Sequence, residues 1–309
     1  MSLSPTARAP VLSVVLIVRH PQETPDSVLA ALASETAGLA EPFQWEVILA
    51  DGRPTAGALP DTVPDPLLRL LRPGLNMPLL KAEGLARARG QHVAFLEPKA
   101  VPVTGWLRAA LAALDAHPGA ALGGAVTLAP GGAADRAAYA FEYLAFAPAR
   151  VSQAPPADLP GNNMILPAEA LRHHCKDILS SEGLNKPFCQ ARLKDNGVPV
   201  VMIPDMAVQI RTRYNLRSLL ASRYRYARCF GGTRAALAAK GKRWTYRLGA
   251  PIVPALLLYR HLGASFRAQS VERLGLSGAA ALSALCLAWS AGEATGSWFG
   301  TGTSCDSLY

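Results

Sequence analysis

Residues 84–107 read GLARARGQHVAFLEPKAVPVTGWL. The stretch contains a helix end, a strand and a helix start. Leu79–Arg89 has helical spacing, and Gly90 stands where a helix C-cap glycine belongs. Val93–Leu96 is a short, unbroken apolar run, the mark of a strand covered on both faces. Glu97-Pro98-Lys99 ends it. Thr104–Ala116 then resumes helical spacing, with Leu107, Leu111 and Leu114 on one face.

The same alternation extends outward in both directions. Val11–Val18 and Trp45–Ala50 are apolar, β-branched-rich runs that predict buried strands, the second closed by Asp51-Gly52. Between them, Thr24–Ala37 has helical spacing with Thr24 or Asp26 as its cap. Leu67–Leu71 and Ala121–Leu128 are further strand candidates. Gly57–Pro66 and Arg150–Leu159 read as loops. Strands alternating with helices predict an α/β fold with a mostly parallel sheet flanked by helices. Ligands of such sheets bind at the carboxyl ends of the strands, here Arg19, Asp51 and Glu97.

The chain has 309 residues, 50% of them apolar and 17% charged, which excludes a predominantly disordered chain and a coiled coil. Its five cysteines show no CxxC pair, which argues against a structural zinc site and a secreted disulfide framework and for a reducing compartment. His173, His174 and Cys175 are adjacent, so on a helix they point apart and make no metal site. The net charge of +9 is unevenly placed. Residues 1–207 carry 17 Lys and Arg against 19 Asp and Glu, whereas residues 208–273 carry 14 against one. Such asymmetry suits nucleic acid or an anionic membrane. Apolar runs decide for the membrane. Leu248–Leu262 contains Pro251 and Pro254 and reads as interfacial or re-entrant; Leu274–Ser290 is uncharged over 17 residues, the lower limit for a bilayer span. Basic residues flank the first run on both sides, which keeps those flanks cytoplasmic. Nucleic acid is not expected as a partner.

Taken in order, several segments resemble the family 2 glycosyltransferases of GT-A fold in their membrane-associated bacterial form. SVVLIVRHPQE resembles the strand and turn that cradle the nucleotide. EVILADGRP resembles the second strand, whose terminal acid, here Asp51, contacts base or ribose. GLARARGQHVAFLEPKAVPVTGWL resembles the helix and strand that lead to the metal-binding carboxylates. LPGNNMILPAEAL resembles the acceptor-side segment, and SEGLNKPFCQARLKDNGVPVVMIPDMAV the region of the catalytic base. The tail WSAGEATGSWFGTG resembles the end of membrane-attached members.

The resemblance implies a nucleotide-sugar donor bound by Val18, Arg19, Asp51, Lys81, Glu97 and Lys99. It implies an acceptor bound by Gly161, Asn162 and Asn163. It implies a divalent metal, manganese or magnesium, on the carboxylates after the third strand. Here the family's acid-x-acid pattern reads Glu97-Pro98-Lys99, which leaves Glu97 as the metal ligand. Such metals take oxygen ligands, and Lys99 offers a cation that can neutralise a diphosphate directly. The Glu-Asp pair of the base region aligns without gaps on Asn185-Lys186, so the nearest acid, Glu182, is the expected base. The implied activity is sugar transfer to a lipid-linked or envelope polysaccharide acceptor at the cell membrane, with the catalytic domain cytoplasmic. The alternative is a catalytically impaired scaffold or partner in an envelope-polymer complex. Convergence of Asp51, Glu97 and Glu182 favours the enzyme; a Glu182 that faces bulk solvent favours the scaffold. The expected organisation is a disordered stretch over 1–10, a GT-A domain over 11–210, basic amphipathic linker helices over 211–247 and a membrane-associated tail over 248–309. Oligomeric state leaves no mark in the sequence.

Overall fold

The structure, a computed structural model, describes residues 10–36, 45–55, 57–153, 158–266 and 274–305. Residues 1–9, and the basic Arg267 and Arg273, lie outside the described residues. In chain order the elements are β1 (Leu12–Val18), α1 (Asp26–Thr36), β2 (Trp45–Asp51), β3 (Leu67–Leu71), α2 (Met77–Arg87), β4 (His92–Leu96), β5 (Ala100–Pro102), α3 (Trp106–Ala116), β6 (Ala121–Leu128) and α4 (Ala133–Glu142). There follow α5 (Pro148–Gln153), β7 (Asn163–Pro167), α6 (Ala168–His174), α7 (Lys176–Ser181), α8 (Lys186–Asp195), β8 (Val200–Ile210), α9 (Leu216–Leu237), α10 (Lys240–Gly249), α11 (Val253–Phe266) and α12 (Gly275–Phe299). They divide into two compact units, Met1–Thr127 with Phe146–Ile210, and Leu128–Ala145 with Arg211–Tyr309. The hairpin of chain that carries α4 thus belongs with the C-terminal helices.

The first unit is built on an eight-stranded sheet in the order β3-β2-β1-β4-β7-β6-β8-β5. The α/β architecture is as expected, but the sheet is mixed rather than mostly parallel. β3-β2-β1-β4 run parallel, whereas β7 is antiparallel to β4 and to β6, and β5 to β8. An apolar run shows that a strand is buried but not which way it runs. β7 starts beside the end of β4, with Asn163 opposite Leu96, and therefore runs back along it.

β1, β2 and β4 are buried along their whole length. Two polar residues inside them are satisfied: Ser13 Oγ donates to Glu46 Oε1 at 2.7 Å, and Glu46 also accepts from the Arg89 backbone N–H at 2.7 Å and from Arg89 Nε at 2.8 Å. Helix α2 starts at Asn76, whose side chain accepts the Leu79 N–H at 3.0 Å, with Pro78 in the first turn. It ends at Arg87, with Ala88 as the extended cap, so Gly90 is not the cap that the sequence suggested. Gly90 is needed for close approach instead, because a Cβ there would lie 2.7 Å from Ser13 Oγ and 2.8 Å from the His92 carbonyl. Helix α3 is capped from α1: Glu35 accepts the Gly105 and Leu107 N–H groups at 2.6 and 3.2 Å.

The second unit is helical. Leu219, Ala281, Leu282, Leu285 and Cys286 form its core with three alanines of α4. The stretch over 211–247 comprises α9 and α10, and α9 packs along α12. Gly292 and Gly296 of α12 sit against the Tyr224 and Arg228 carbonyls, too close for any side chain. The one charge in α12, Glu293, is buried between Arg234 at 2.6 Å and the Trp289 indole at 2.9 Å. This pairing also brings Cys229 of α9 to Cys305, and the two form a disulfide. That corrects the expectation of reduced cysteines: the partners stand 76 residues apart, so spacing gave no sign of them. Cys175, Cys189 and Cys286 are free and buried. Among the described residues α12 is the one helix long and apolar enough to cross a membrane.

Gly296→Val is expected to force the α9 backbone away from α12 and cost about 3 kcal/mol. Chemical denaturation followed by circular dichroism measures this, and an unchanged midpoint would refute the close packing.

Candidate functional site

Because β2, β1 and β4 are parallel neighbours, their carboxyl ends share one edge of the sheet. This places Arg19, Asp51 and Glu97 on the same edge. Two polar clusters form there, both within the first unit.

The first surrounds Asp51, which is fully buried. Arg53 grips it in bidentate fashion, Nε to Oδ1 at 2.9 Å and Nη2 to Oδ2 at 2.8 Å. Arg69 Nη2 reaches Oδ2 at 2.9 Å. Burial raises the carboxyl's pKa, but the hydrogen bonds from Arg53 and Arg69 outweigh it and hold Asp51 below the ordinary range. Val18 lies opposite Asp51 in the register and is fully buried, and its carbonyl accepts the Gly52 N–H. Arg19 Nε donates to the Leu75 carbonyl at 3.2 Å, and Glu23 accepts the Arg19 and His20 N–H groups.

The second cluster surrounds Glu97. Lys81 Nζ stands 3.5 Å from one carboxylate oxygen and Lys99 Nζ 3.1 Å from the other. Lys81 also donates to the Gly161 carbonyl at 3.1 Å. The β4–β7 register explains this meeting, since Asn163 opposite Leu96 lays Gly161 and Asn162 beside Glu97. Lys186 of α8 joins from another side: its stem lies 3.6 Å from where a Gly161 side chain would start, and its Nζ binds Asp158 at 2.8 Å. Burial lowers the Lys81 pKa, Glu97 offsets part of that, and Lys99 and Lys186 add to the lowering. For Glu97, burial raises the pKa, but Lys99 and Lys81 outweigh it and hold the carboxyl low. The core of the cluster is thus one carboxylate between two ammonium groups, with a net positive charge.

These residues do not fit a divalent metal. Both oxygens of Glu97 already face cations, and among the described residues no three His, Cys, Asp or Glu gather as a ligand set. They fit an anion instead.

The adjacent asparagines differ. Asn163 is fully buried; its Oδ1 accepts the Trp106 indole N–H at 2.9 Å, and its Nδ2 donates to the Ala125 and Met206 carbonyls at 3.0 and 2.7 Å. Both of its N–H groups are consumed inside the fold. Asn162 is equally buried, yet neither its Oδ1 nor its Nδ2 has a protein partner. A buried amide without a partner marks a place where a ligand or water completes the hydrogen bonds.

Glu182 caps α7 and is exposed. The next residues anchor on α2: Gly183 takes a φ of +70° against the Pro78 backbone, and Leu184 N–H donates to the Pro78 carbonyl at 2.8 Å. Glu182 therefore borders the first turn of the helix that carries Lys81. Sequence reasoning missed Arg53, Arg69 and Lys186. Arg69 did leave a signal, as the single charge in the strand Leu67–Leu71.

No family model matches this sequence, and no curated protein matches it. Solved structures similar to it include S. aureus TarS 1-349, at 14% identity and a TM-score of 0.42, over 69% of this chain and 63% of that one. Another is the mannosyltransferase PcManGT from Pyrobaculum calidifontis in complex with GDP-Man and Mn2+, at 16% identity and a TM-score of 0.48, over 91% of this chain and 87% of that one. The present chain thus spans under two thirds of the TarS chain. These are distant likenesses of fold, and the roles of residues rest on the geometry above.

Asn163→Ala is expected to destabilise the chain by about 2–4 kcal/mol, and Asn162→Ala by less than about 1 kcal/mol, because only the first breaks bonds within the fold. Equal losses in urea titrations would refute this contrast. Asp51→Asn leaves two arginines without their charge partner and is expected to cost about 3 kcal/mol at neutral pH. A carboxyl held low stabilises above its unfolded pKa, near 4, and loses that contribution as pH falls through its folded value. The difference between parent and Asp51→Asn in pH-dependent denaturation therefore shrinks in acid; a constant difference from pH 7 to 2 would contradict the ion cluster.

Proposed function

We propose that this chain is a glycosyltransferase that binds a nucleotide-diphospho-sugar at the carboxyl edge of β2-β1-β4 and neutralises the diphosphate with Lys81 and Lys99, without a metal ion. The observation that carries this reading is the Lys81–Glu97–Lys99 group, placed where the family resemblance expects metal-binding carboxylates. During transfer the acceptor hydroxyl attacks the anomeric carbon, a base takes its proton, and charge grows on the departing diphosphate. A positioned ammonium stabilises that charge as a point cation. Glu97 holds the two ammonium groups side by side at rest. Asn162 offers its unused amide to a substrate hydroxyl or phosphate oxygen, with Gly161 beside it. Asp51, with Arg53 and Arg69, forms the nucleoside end. Glu182 serves as base, from its place at the border of the helix that carries Lys81.

The acceptor in this reading is a lipid-linked or envelope polysaccharide at the membrane. The membrane is argued from the basic flanks of the apolar run Leu248–Leu262. The Cys229–Cys305 disulfide weighs against a reducing compartment. A second reading, a non-catalytic scaffold that retains nucleotide binding, is favoured by the exposure of Glu182.

Isothermal titration with UDP and GDP tests the central claim. Binding is expected to persist in EDTA and to fall at least tenfold, about 1.4 kcal/mol, in both Lys99→Ala and Lys81→Ala. Binding that requires manganese would overturn the lysine role. Turnover of a bound nucleotide sugar that Glu182→Gln abolishes supports the enzyme, and binding without any turnover supports the scaffold.

A further inference from the structure

Helices α10 and α11 are joined by one tight turn, Ala250–Ile252, and Ala250 and Val253 keep right-handed helical angles. Rows of side chains therefore continue from one helix into the next. Leu248, Pro251, Ile252, Ala255, Leu256 and Tyr259 are all exposed. Their spacing of three and four residues defines a single face, of the kind that a helix ordinarily buries. Leu248 is 69% exposed, Ile252 68%, Leu256 59% and Tyr259 80%. The other face of α11 is also apolar and is the one that packs inward, through Leu257, Leu258 and Leu262. The outer face is therefore surplus to the core.

Charge tells what covers it. Exposed Lys242 and partly exposed Arg243 and Arg247 stand at one end, exposed Arg260 at the other, and the sequence has no acid from Met206 to Val271. Arg247 is fixed in place: it lies 5.4 Å from the Trp244 ring and 5.2 Å from the Trp298 ring, and its Nε donates to the Ser297 carbonyl at 3.0 Å. An apolar face with cations at its borders complements an anionic lipid surface. A second copy of the chain would set like charges against one another.

We infer that α10–α11 lies in the plane of an anionic bilayer, with the Leu248–Tyr259 face at the acyl boundary, and that this face, not α12, makes the membrane contact. α12 has the composition of a span, but it packs on α9, which carries Arg217, Arg223, Arg225, Arg228 and Arg234. A helix so rich in arginine does not enter hydrocarbon.

Flotation of the purified full chain with phosphatidylcholine vesicles, with and without phosphatidylglycerol, tests this. Binding to the anionic vesicles is expected, at least tenfold weaker in Leu248→Ser/Ile252→Ser/Leu256→Ser. Lys242→Glu/Arg260→Glu is expected to erase the preference for anionic lipid. Each substituted side chain is exposed, and an unchanged thermal melt checks the fold. Flotation of the triple variant equal to the parent's overturns the inference, and so does a parent that ignores vesicles but is a dimer which the triple variant makes monomeric. Nucleotide titration on the same variants is expected to match the parent, so failure here is distinct from failure of the donor site.

Discussion

The amide of Asn163 sets the geometry on which the candidate site depends. From β7 it reaches carbonyls on β6 and β8 and the indole that opens α3, all out of contact with water. A buried donor or acceptor left unpaired costs on the order of 1–3 kcal/mol, so a slip of β7 by one residue would forfeit several such bonds together. The single register that remains puts Asn163 opposite Leu96. From it follows the position of Gly161 and Asn162 beside Glu97, and with it the carbonyl that helps to hold Lys81. The same constraint explains Gly124, where a Cβ would overlap both the Met206 carbonyl and the Asn163 amide.

Burial then dictates the electrostatics. An ammonium taken out of water loses hydration worth several kcal/mol and sheds its proton unless something compensates. Lys81 is compensated by Glu97 and the Gly161 carbonyl, and Glu97 in turn by Lys99. The carboxylate sustains both ammonium groups, and removing it would leave two like charges side by side. A cation pair also differs from a metal in kind. It imposes no coordination geometry, so the orientation of a bound diphosphate falls to its neighbours, foremost the unpartnered amide of Asn162. Lys186 does not share this task on equal terms, because Asp158 already neutralises it.

What could be read in advance follows the same physics. The buried strands β1, β2 and β4 were legible because burial on both faces demands an unbroken apolar run. Asp51 and Glu97 were legible because a charge directly after such a run must lie at the strand's end. The direction of β7, the pairing of Cys229 with Cys305 and the place of α4 were not, since each depends on contacts between residues far apart in the chain. Arg69 lies between: a charge inside LLRLL demands a partner, but only the β2–β3 register identifies it as Asp51. Asn162 and Asn163 are indistinguishable in sequence. Asn163 opens β7 and commits its amide to the fold, whereas Asn162, one residue before the strand, leaves its own unspent.

The C-terminal helices show why mean hydropathy alone misplaces a membrane contact. α12 is the more apolar segment, yet its small residues admit the α9 backbone closely, and Ala281, Leu282, Leu285 and Cys286 are taken up inside the second unit, while the exposed Leu276, Leu287 and Phe299 are spread from one end of the helix to the other. The Leu248–Leu262 run holds Pro251 and Pro254 in and just after the turn and carries Arg260, which makes it a poorer span. It nevertheless has apolar side chains on two faces, and only one of them packs inward. What matters for association is the apolar area left after the fold has taken its share. By that measure the surplus lies on Leu248–Tyr259, bordered by the cations that would meet lipid phosphates, and the basic stretch and the apolar stretch become parts of one surface.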